Sequence, residues 1–294
     1  MFEASELILN PDGSVYHLGL RPENISNKII LVGDPERVTK ITQNFKKIIF
    51  EKINREFHTV TGLYKNQKIT VLSTGIGTDN IDIVLNELDI LANFDFKNKK
   101  WKKNLKPLKI LRLGTTGGTQ ENLPVGSIIG SAFAIDLGSL NLFYQFQRSE
   151  TEKLLTVNFH NFLNKKFPKV ETKFAKAFEA SKNFRELCKE LTITLGITCT
   201  ACGFYGPQGR NLGRISLNYP GLPLEIKDFC FQDLMITNFE METAGIYMLG
   251  KALGHETGSL SVILANRAIN QFSNDPEKDV ERLITLGLEF IIKF

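Results

Sequence analysis

The sequence predicts an α/β layer fold on a largely parallel or mixed sheet, built as one domain. Two observations carry that prediction. Three segments open alike, with a short apolar strand closing on a glycine turn, and strands that alternate with helices make layered sheets. No internal repeat and no Pro/Ser/Gly linker interrupts the 294 residues, a length that one core can serve.

The first segment is IILVGDPERVTKI (residues 29–41), a strand, a turn and a helix. The second is ITVLSTGIG with IDIVLNELDIL after it (69–91), where apolar residues at 81, 84, 85, 88 and 91 keep helical spacing. The third is KILRLGTTGG (109–118), whose glycines lead to another apolar segment at 125–135. Residues 151–182, rich in Lys, Phe and polar side chains, read as helix and surface loop. Strands follow at 192–203 and 233–239, the second running into the helix EMETAGIYMLGKALG. LSVILANRA is a last buried strand, and PEKDVERLITLGLEFIIKF a closing amphipathic helix. Ligands of such sheets sit beyond the carboxyl ends of the strands, where these glycines fall.

A hydrophobic share of 42% with 23% charged residues excludes a disordered chain. No apolar run approaches the roughly 20 residues of a membrane span. Residues 1–10 carry Glu3 and Glu6 and lack a basic start before an apolar stretch, so a cytoplasmic location is expected. The formal net charge of +4 has a local source: residues 97–109 (KNKKWKKNLKPLK) hold seven lysines and no acid, and without them the balance is −3. This run reads as a solvated insertion, because Trp101 alone is thin ground for a nucleic-acid surface. Neither a nucleic-acid nor a membrane partner is expected. Cys199 and Cys202 form a C-x-x-C, but the nearest histidines are His160 and His255 and no second cysteine pair stands close by. A structural zinc site needs such ligands, and a thioredoxin-type pair would open a helix rather than sit in a strand.

Several residues could carry chemistry. Gly33 to Arg37 (GDPER) puts a backbone NH and a guanidinium at a strand end, which suits an anion; a turn with a solvated arginine accounts for it equally well. Arg112 lies inside an apolar strand and is costly to bury without an anion or a carboxylate. With Gly114, Thr115 and Gly117 just beyond it, phosphate is the preferred reading and an internal salt bridge the alternative. Glu240 and Glu242 stand where a strand becomes a helix; one is expected in the site, as a diol acceptor, with the other capping or packing, and an acidic first helical turn that favours the dipole accounts for the segment equally well. Phe204, Gln208 and Arg210 could stack on a flat base and read its edge, although FYGPQGR also reads as an ordinary Pro-Gly loop.

HLGL, VGDPERV, NREF, STGIG, RLGTTGG, FYGPQGR, NFEMETAGIY and ANRA occur in this order across residues 17–268. With them the chain resembles the uridine phosphorylases of the nucleoside phosphorylase I superfamily, over about residues 17–290. The resemblance implies a single-domain three-layer α/β/α sandwich with a mixed central sheet. It implies a pentosyltransferase that cleaves uridine with phosphate to uracil and ribose 1-phosphate, in oligomers with a dimer as the minimal unit and a hexamer as a larger assembly. By residue it implies a phosphate site of Gly33, Arg37, Arg112 and Thr115, completed by Arg55 of the neighbouring subunit. Ribose falls to Glu240, Met241 and Glu242, with His17 of the neighbour by the 5′-hydroxyl. Phe204, Gln208, Arg210 and Arg267 surround the base. No metal takes part in the chemistry and phosphate is a co-substrate rather than a cofactor, although family members can hold a potassium ion at the position of Glu56. The chain departs from the pattern in the lysine insertion, in length across 139–200, and in NREF where HREF is usual.

Phosphate itself would attack the anomeric carbon, so the residues need only position it and stabilise charge. Catalysis is assigned to Arg112, Glu242, Gln208 and Arg210. Gln208 offers one acceptor and one donor, matching N3–H and O2 of uracil. Purine-cleaving members carry an aspartate after the last core strand, where Asn266 aligns here. A purine phosphorylase, a nucleosidase and a non-catalytic nucleoside-binding protein share the fold and are the alternatives. A dinucleotide-dependent dehydrogenase fails for want of the G-x-G-x-x-G fingerprint.

Overall fold

The computed structural model describes residue 3, residues 5–168 and residues 174–294. The first half holds β1 (Lys28–Val32), α1 (Pro35–Thr42), β2 (Lys47–Asn54), β3 (Phe57–Tyr64), β4 (Gln67–Ser73) and α2 (Thr78–Asn93). A small hairpin, β5 (Phe94–Asp95) and β6 (Lys100–Trp101), then precedes β7 (Lys109–Gly118) and β8 (Ile128–Asp136). Next come α3 (Glu150–Lys166), β9 (Lys176–Glu179), α4 (Lys182–Glu190), β10 (Thr194–Thr200) and α5 (Leu222–Glu225). The chain finishes with β11 (Cys230–Phe231), β12 (Leu234–Glu240), α6 (Thr243–Ala252), β13 (Glu256–Asn266), β14 (Gln271–Phe272) and α7 (Pro276–Lys293).

Local chemistry starts the helices. Asp34 caps α1 by accepting from the Glu36 amide, and Pro35 supplies the fixed φ of a first turn. Ser149 and Glu152 form a reciprocal capping box on α3. Asp275, followed by Pro276, repeats the α1 device on α7.

The main sheet runs β11-β12-β10-β8-β13-β7-β1-β4-β3-β2, with β9 beside β8 and β14 beside β13. β4, β1, β7 and β13 are mutually parallel, while β8 lies antiparallel to β13 and carries β10 and β12 parallel to itself. The sheet is therefore mixed. α7 covers one face, where Gly287 admits the side chain of Leu113 from β7. α2 and α6 pack together on the other, Gly245 lying against Thr78 and Ile81. These are the three layers.

One pairing decides where a ligand can sit. β12 also bonds antiparallel to the end of β7, through Asn238–Gly118 and Phe239–Gly117. The strands β7, β13, β8, β10 and β12 thus close into a ring. Its two parallel sets run in opposite directions, yet the closure brings their carboxyl ends to one place. No strand spacing in the sequence announces this.

One expectation needs correction, and two features go beyond what was expected. Residues 151–182 contain more than helix and loop, since β9 pairs antiparallel with β8; four residues are too few for an alternation to be legible. β2 was not apparent in the sequence because it is an edge strand exposed over most of its length, with no buried face to impose a period of two. The lysine run is exposed at 97–107 as expected, but it is tied at its base by a hairpin in which Trp101 meets Phe94 edge-on at 5.5 Å. In the C-x-x-C, Cys199 is buried in β10 and Cys202 is exposed beyond it, and both are free thiols.

Candidate active site

A cavity of about 640 Å³ opens where the carboxyl ends meet. Gly33, Arg37, Arg112, Thr115, Gly117, Phe204, Gln208, Arg210, Glu240, Met241 and Glu242, all singled out from the sequence, line it. They arrive from β1, β7, the loop after β10, and the junction of β12 with α6, so tertiary closure alone assembles them.

At one end, Gly33 of the β1–α1 turn and Arg37 of the first turn of α1 line the cavity with Arg112 and Thr115 of β7. Arg112 is buried, and its Nη2 donates to Glu242 Oε2, with Glu240 Oε2 at 3.5 Å and Ser261 Oγ at 3.3 Å from Nη1. The burial that read as a sign of phosphate is thus already met by carboxylates. For Arg112, burial opposes the charge, and the two glutamates together outweigh it and raise its pKa. Burial pushes the Glu242 carboxyl up, against the pull of Arg112.

Arg37 is the more telling cation. Among the described residues its hydrogen bond is to the Leu113 carbonyl, a neutral acceptor at 3.3 Å. Burial pulls its pKa down and the charge of Arg112 adds to that, while Asp34 and Glu242 pull the other way. A half-buried guanidinium with a second one nearby and no carboxylate of its own favours an anion between them.

Gly114 shapes this end. A Cβ there would lie 1.7 Å from Arg112 Nη1 and 2.4 Å from its Cζ, so the bare glycine lets the guanidinium fold back along the strand. Gly114→Ala should displace that group and lower kcat/KM by about 10²-fold, the scale of an ångström-sized misplacement. Steady-state kinetics with unchanged far-UV dichroism tests this; wild-type activity would mean that Arg112 is not needed where it lies.

In the middle, the two glutamates divide as expected but for a different reason. Residues 240–242 are not helical: Glu240 ends β12 and Glu242 is the N-cap of α6. Glu240 Oε2 accepts from the amides of Glu242 and Thr243 and from Thr243 Oγ1, while Oε1 accepts from Thr200 Oγ1 at 2.5 Å. Glu240 is the cap. Glu242 Oε1 accepts from the Gly77 amide at 2.7 Å, which links it to the glycine turn STGIG.

At the other end, Arg210 stacks on Phe204, its Cζ 3.7 Å from the ring centroid. Nη1 of Arg210 donates to Gln208 Oε1 at 2.7 Å and also to the Phe204 carbonyl. Gln208 keeps its Nε2 donors and a second Oε1 lone pair for a ligand. Burial, and then the charge of Arg267, lowers the pKa of Arg210. Arg267 itself does not line the cavity; it donates to the Gln208 carbonyl at 2.6 Å and braces the loop.

His17 and Arg55 also lie outside the cavity, but the fold brings them together. Tyr16 stands between them, edge-on to the His17 ring at 4.9 Å and 5.1 Å beneath the Arg55 guanidinium. Asn54 Nδ2 bonds the His17 carbonyl at 2.6 Å. Glu56 is exposed beside them, and among the described residues no group of three His, Cys, Asp or Glu could hold a metal ion. One protomer therefore offers potassium no such cluster among its described residues. The sequence reading missed the apolar lining from Ile76, Leu264 and Phe272. Ile76 was legible, since an isoleucine between two glycines of a strand-end turn has no core to enter.

A family model described as the phosphorylase superfamily matches residues 27–292. The chain belongs to the phosphorylase superfamily. A uridine phosphorylase of Thermococcus kodakarensis is 28% identical over 297 residues, covering 100% of this chain and 92% of the relative. A DeoD-type purine nucleoside phosphorylase of Streptococcus suis is 24% identical over 94% of this chain and 98% of its own. The crystal structure of a Trypanosoma brucei nucleoside phosphorylase, described as showing uridine phosphorylase activity, superposes with a TM-score of 0.88. It is 28% identical, over 98% of this chain and 100% of that one. Among these nucleoside phosphorylases both base classes occur, so family membership leaves the base open.

Proposed function

We propose that this enzyme cleaves uridine with phosphate, giving uracil and ribose 1-phosphate. The observation that carries the reading is the base end of the cavity. There Arg210, stacked on Phe204, holds Gln208 by its Oε1. An amide plus a guanidinium meets the acceptor and donor edge of uracil, whereas the amino group of cytosine would face the donors of Arg210. Asn266 supports a pyrimidine as well. Its Nδ2 donates to the carbonyls of Gln120 and Leu123 and its Oδ1 accepts from the Ala268 amide, so it is spent on the backbone and no acid stands there for a purine N7.

In the reaction a phosphate oxygen bonds to C1′ as the C1′–N1 bond breaks, and the electron pair leaves with the base. Arg37 and Arg112 hold the nucleophile, and Glu242 bonds the ribose hydroxyls and favours positive charge on the ring. Gln208 and Arg210 meet the negative charge that gathers on the uracil oxygens. Phosphorolysis is favoured over hydrolysis by the unmatched Arg37. The site is completed by Arg55 and His17 of a neighbouring subunit in a dimer. In support, both flank Tyr16 outside the cavity of their own chain, and the edge strand β2 that leads to Arg55 is exposed over most of its length.

The test is an absorbance assay of uridine, cytidine and inosine with and without phosphate. Uridine should be consumed fastest, and only with phosphate or arsenate present. Equal rates in phosphate-free buffer would make the enzyme a hydrolase, and faster cleavage of inosine would reverse the base assignment.

A further inference from the structure

We propose that Glu87, on α2, is a positioning residue that turns the ring of His17 so that its Nε2 accepts a hydrogen bond from the 5′-hydroxyl of a nucleoside in the neighbouring subunit's pocket. The inference rests on the shared site proposed above and adds a residue and a bond direction to it.

Glu87 is buried, and three donors from one short loop converge on its carboxylate. Oε1 accepts from the His17 amide at 2.9 Å and from His17 Nδ1 at 2.7 Å, and Oε2 accepts from the Leu18 amide at 2.8 Å. The loop is firm around this contact. It closes on itself through Val15 N to Leu20 O at 2.9 Å and Gly19 N to Val15 O at 3.0 Å, with Gly19 at a φ of 63°. Leu18 and Leu20 are fully buried. The two backbone bonds would by themselves tie the loop to α2. The third, to the ring, does something else.

A carboxylate facing Nδ1 requires a hydrogen on that nitrogen. In the neutral ring Nε2 then carries the lone pair and can only accept. Nε2 makes no bond within the protomer among the described residues, and the side chain is 30% exposed, against 11% for Glu87. A ring so fixed presents one outward-facing acceptor. A sugar hydroxyl, which can donate, is a ligand of the right chemistry. The same logic, an outer carboxylate setting the tautomer of a functional histidine, operates wherever an imidazole must present one defined nitrogen.

Two measurements test this on the intact enzyme. The first is the ¹⁵N spectrum of the four histidines at a pH where the rings are neutral, with His17 assigned by its loss in His17→Ala. The Nδ1–H tautomer is expected; an Nε2–H tautomer overturns the proposal whatever the variants do. The second is the ratio of kcat/KM for uridine to that for 5′-deoxyuridine. One neutral hydrogen bond should make that ratio about three to ten in the wild type. It should fall to near one in His17→Ala, and most of the way in Glu87→Gln, where one of the two oxygens that divide the three donors becomes an NH₂ group. A general loss of stability would lower both rates and leave the ratio alone. If His17→Ala keeps the wild-type ratio, the shared-site reading fails and the proposal with it. If His17→Ala abolishes the ratio and Glu87→Gln keeps it, the shared site stands and Glu87 is no more than a structural tie.

Discussion

Arg55→Ala and Arg112→Ala should each be nearly inactive alone, yet recover about a quarter of wild-type activity when their subunits are dissociated and reassembled together. Random pairing makes about half of the dimers mixed. In a mixed dimer one pocket has its own Arg112 and the neighbour's Arg55, and the other has lost both. The structure gives this a concrete basis. Arg112 lies in the cavity beside Glu242, whereas Arg55 is exposed over Tyr16, outside the cavity of its own chain. No recovery, with subunit exchange confirmed by mass, would put Arg55 in its own subunit's site or in none. A dissociated, folded monomer should be inactive for the same reason.

Glu242→Gln should lower kcat/KM by about 10- to 150-fold, the equivalent of losing one charge-assisted contact worth about 1.5–3 kcal/mol. Glu240→Gln should do far less. Its amide oxygen can keep the three bonds now made by Oε2, and its NH₂ can turn toward Thr200 Oγ1. Glu240→Ala is a different case, because it leaves the Glu242 and Thr243 amides unmet and takes an acceptor from two hydroxyls. That should appear as a loss of roughly 1–3 kcal/mol in unfolding free energy. Kinetics alongside denaturant titration separates the roles. If Glu242→Gln is fully active, the ribose assignment is wrong; if Glu240→Ala is as stable as wild type, the cap assignment is.

The sequence determined the strand–turn–helix segments, since apolar periodicity and glycine placement are local properties. The stretch 109–118 appears with those bounds as β7 (Lys109–Gly118). It also nominated the cavity's polar residues, because an arginine in an apolar strand or an acid pair at a strand end is conspicuous in one dimension. What it could not decide was how these residues satisfy one another. Arg112 looked like a cation in need of phosphate; in the fold it meets Glu242, 130 residues away in sequence, and the unmatched cation is Arg37. Glu240 and Glu242 were separated on helical geometry, but the chain is still leaving β12 there, and capping bonds make the division. Arg267 looked like a base ligand and braces the Gln208 loop from behind. The meeting of Arg112 with Glu242 depends on the ring closure of β12 on β7. That closure joins segments more than a hundred residues apart, and hydrogen bonds at such a distance leave no period in the sequence to read.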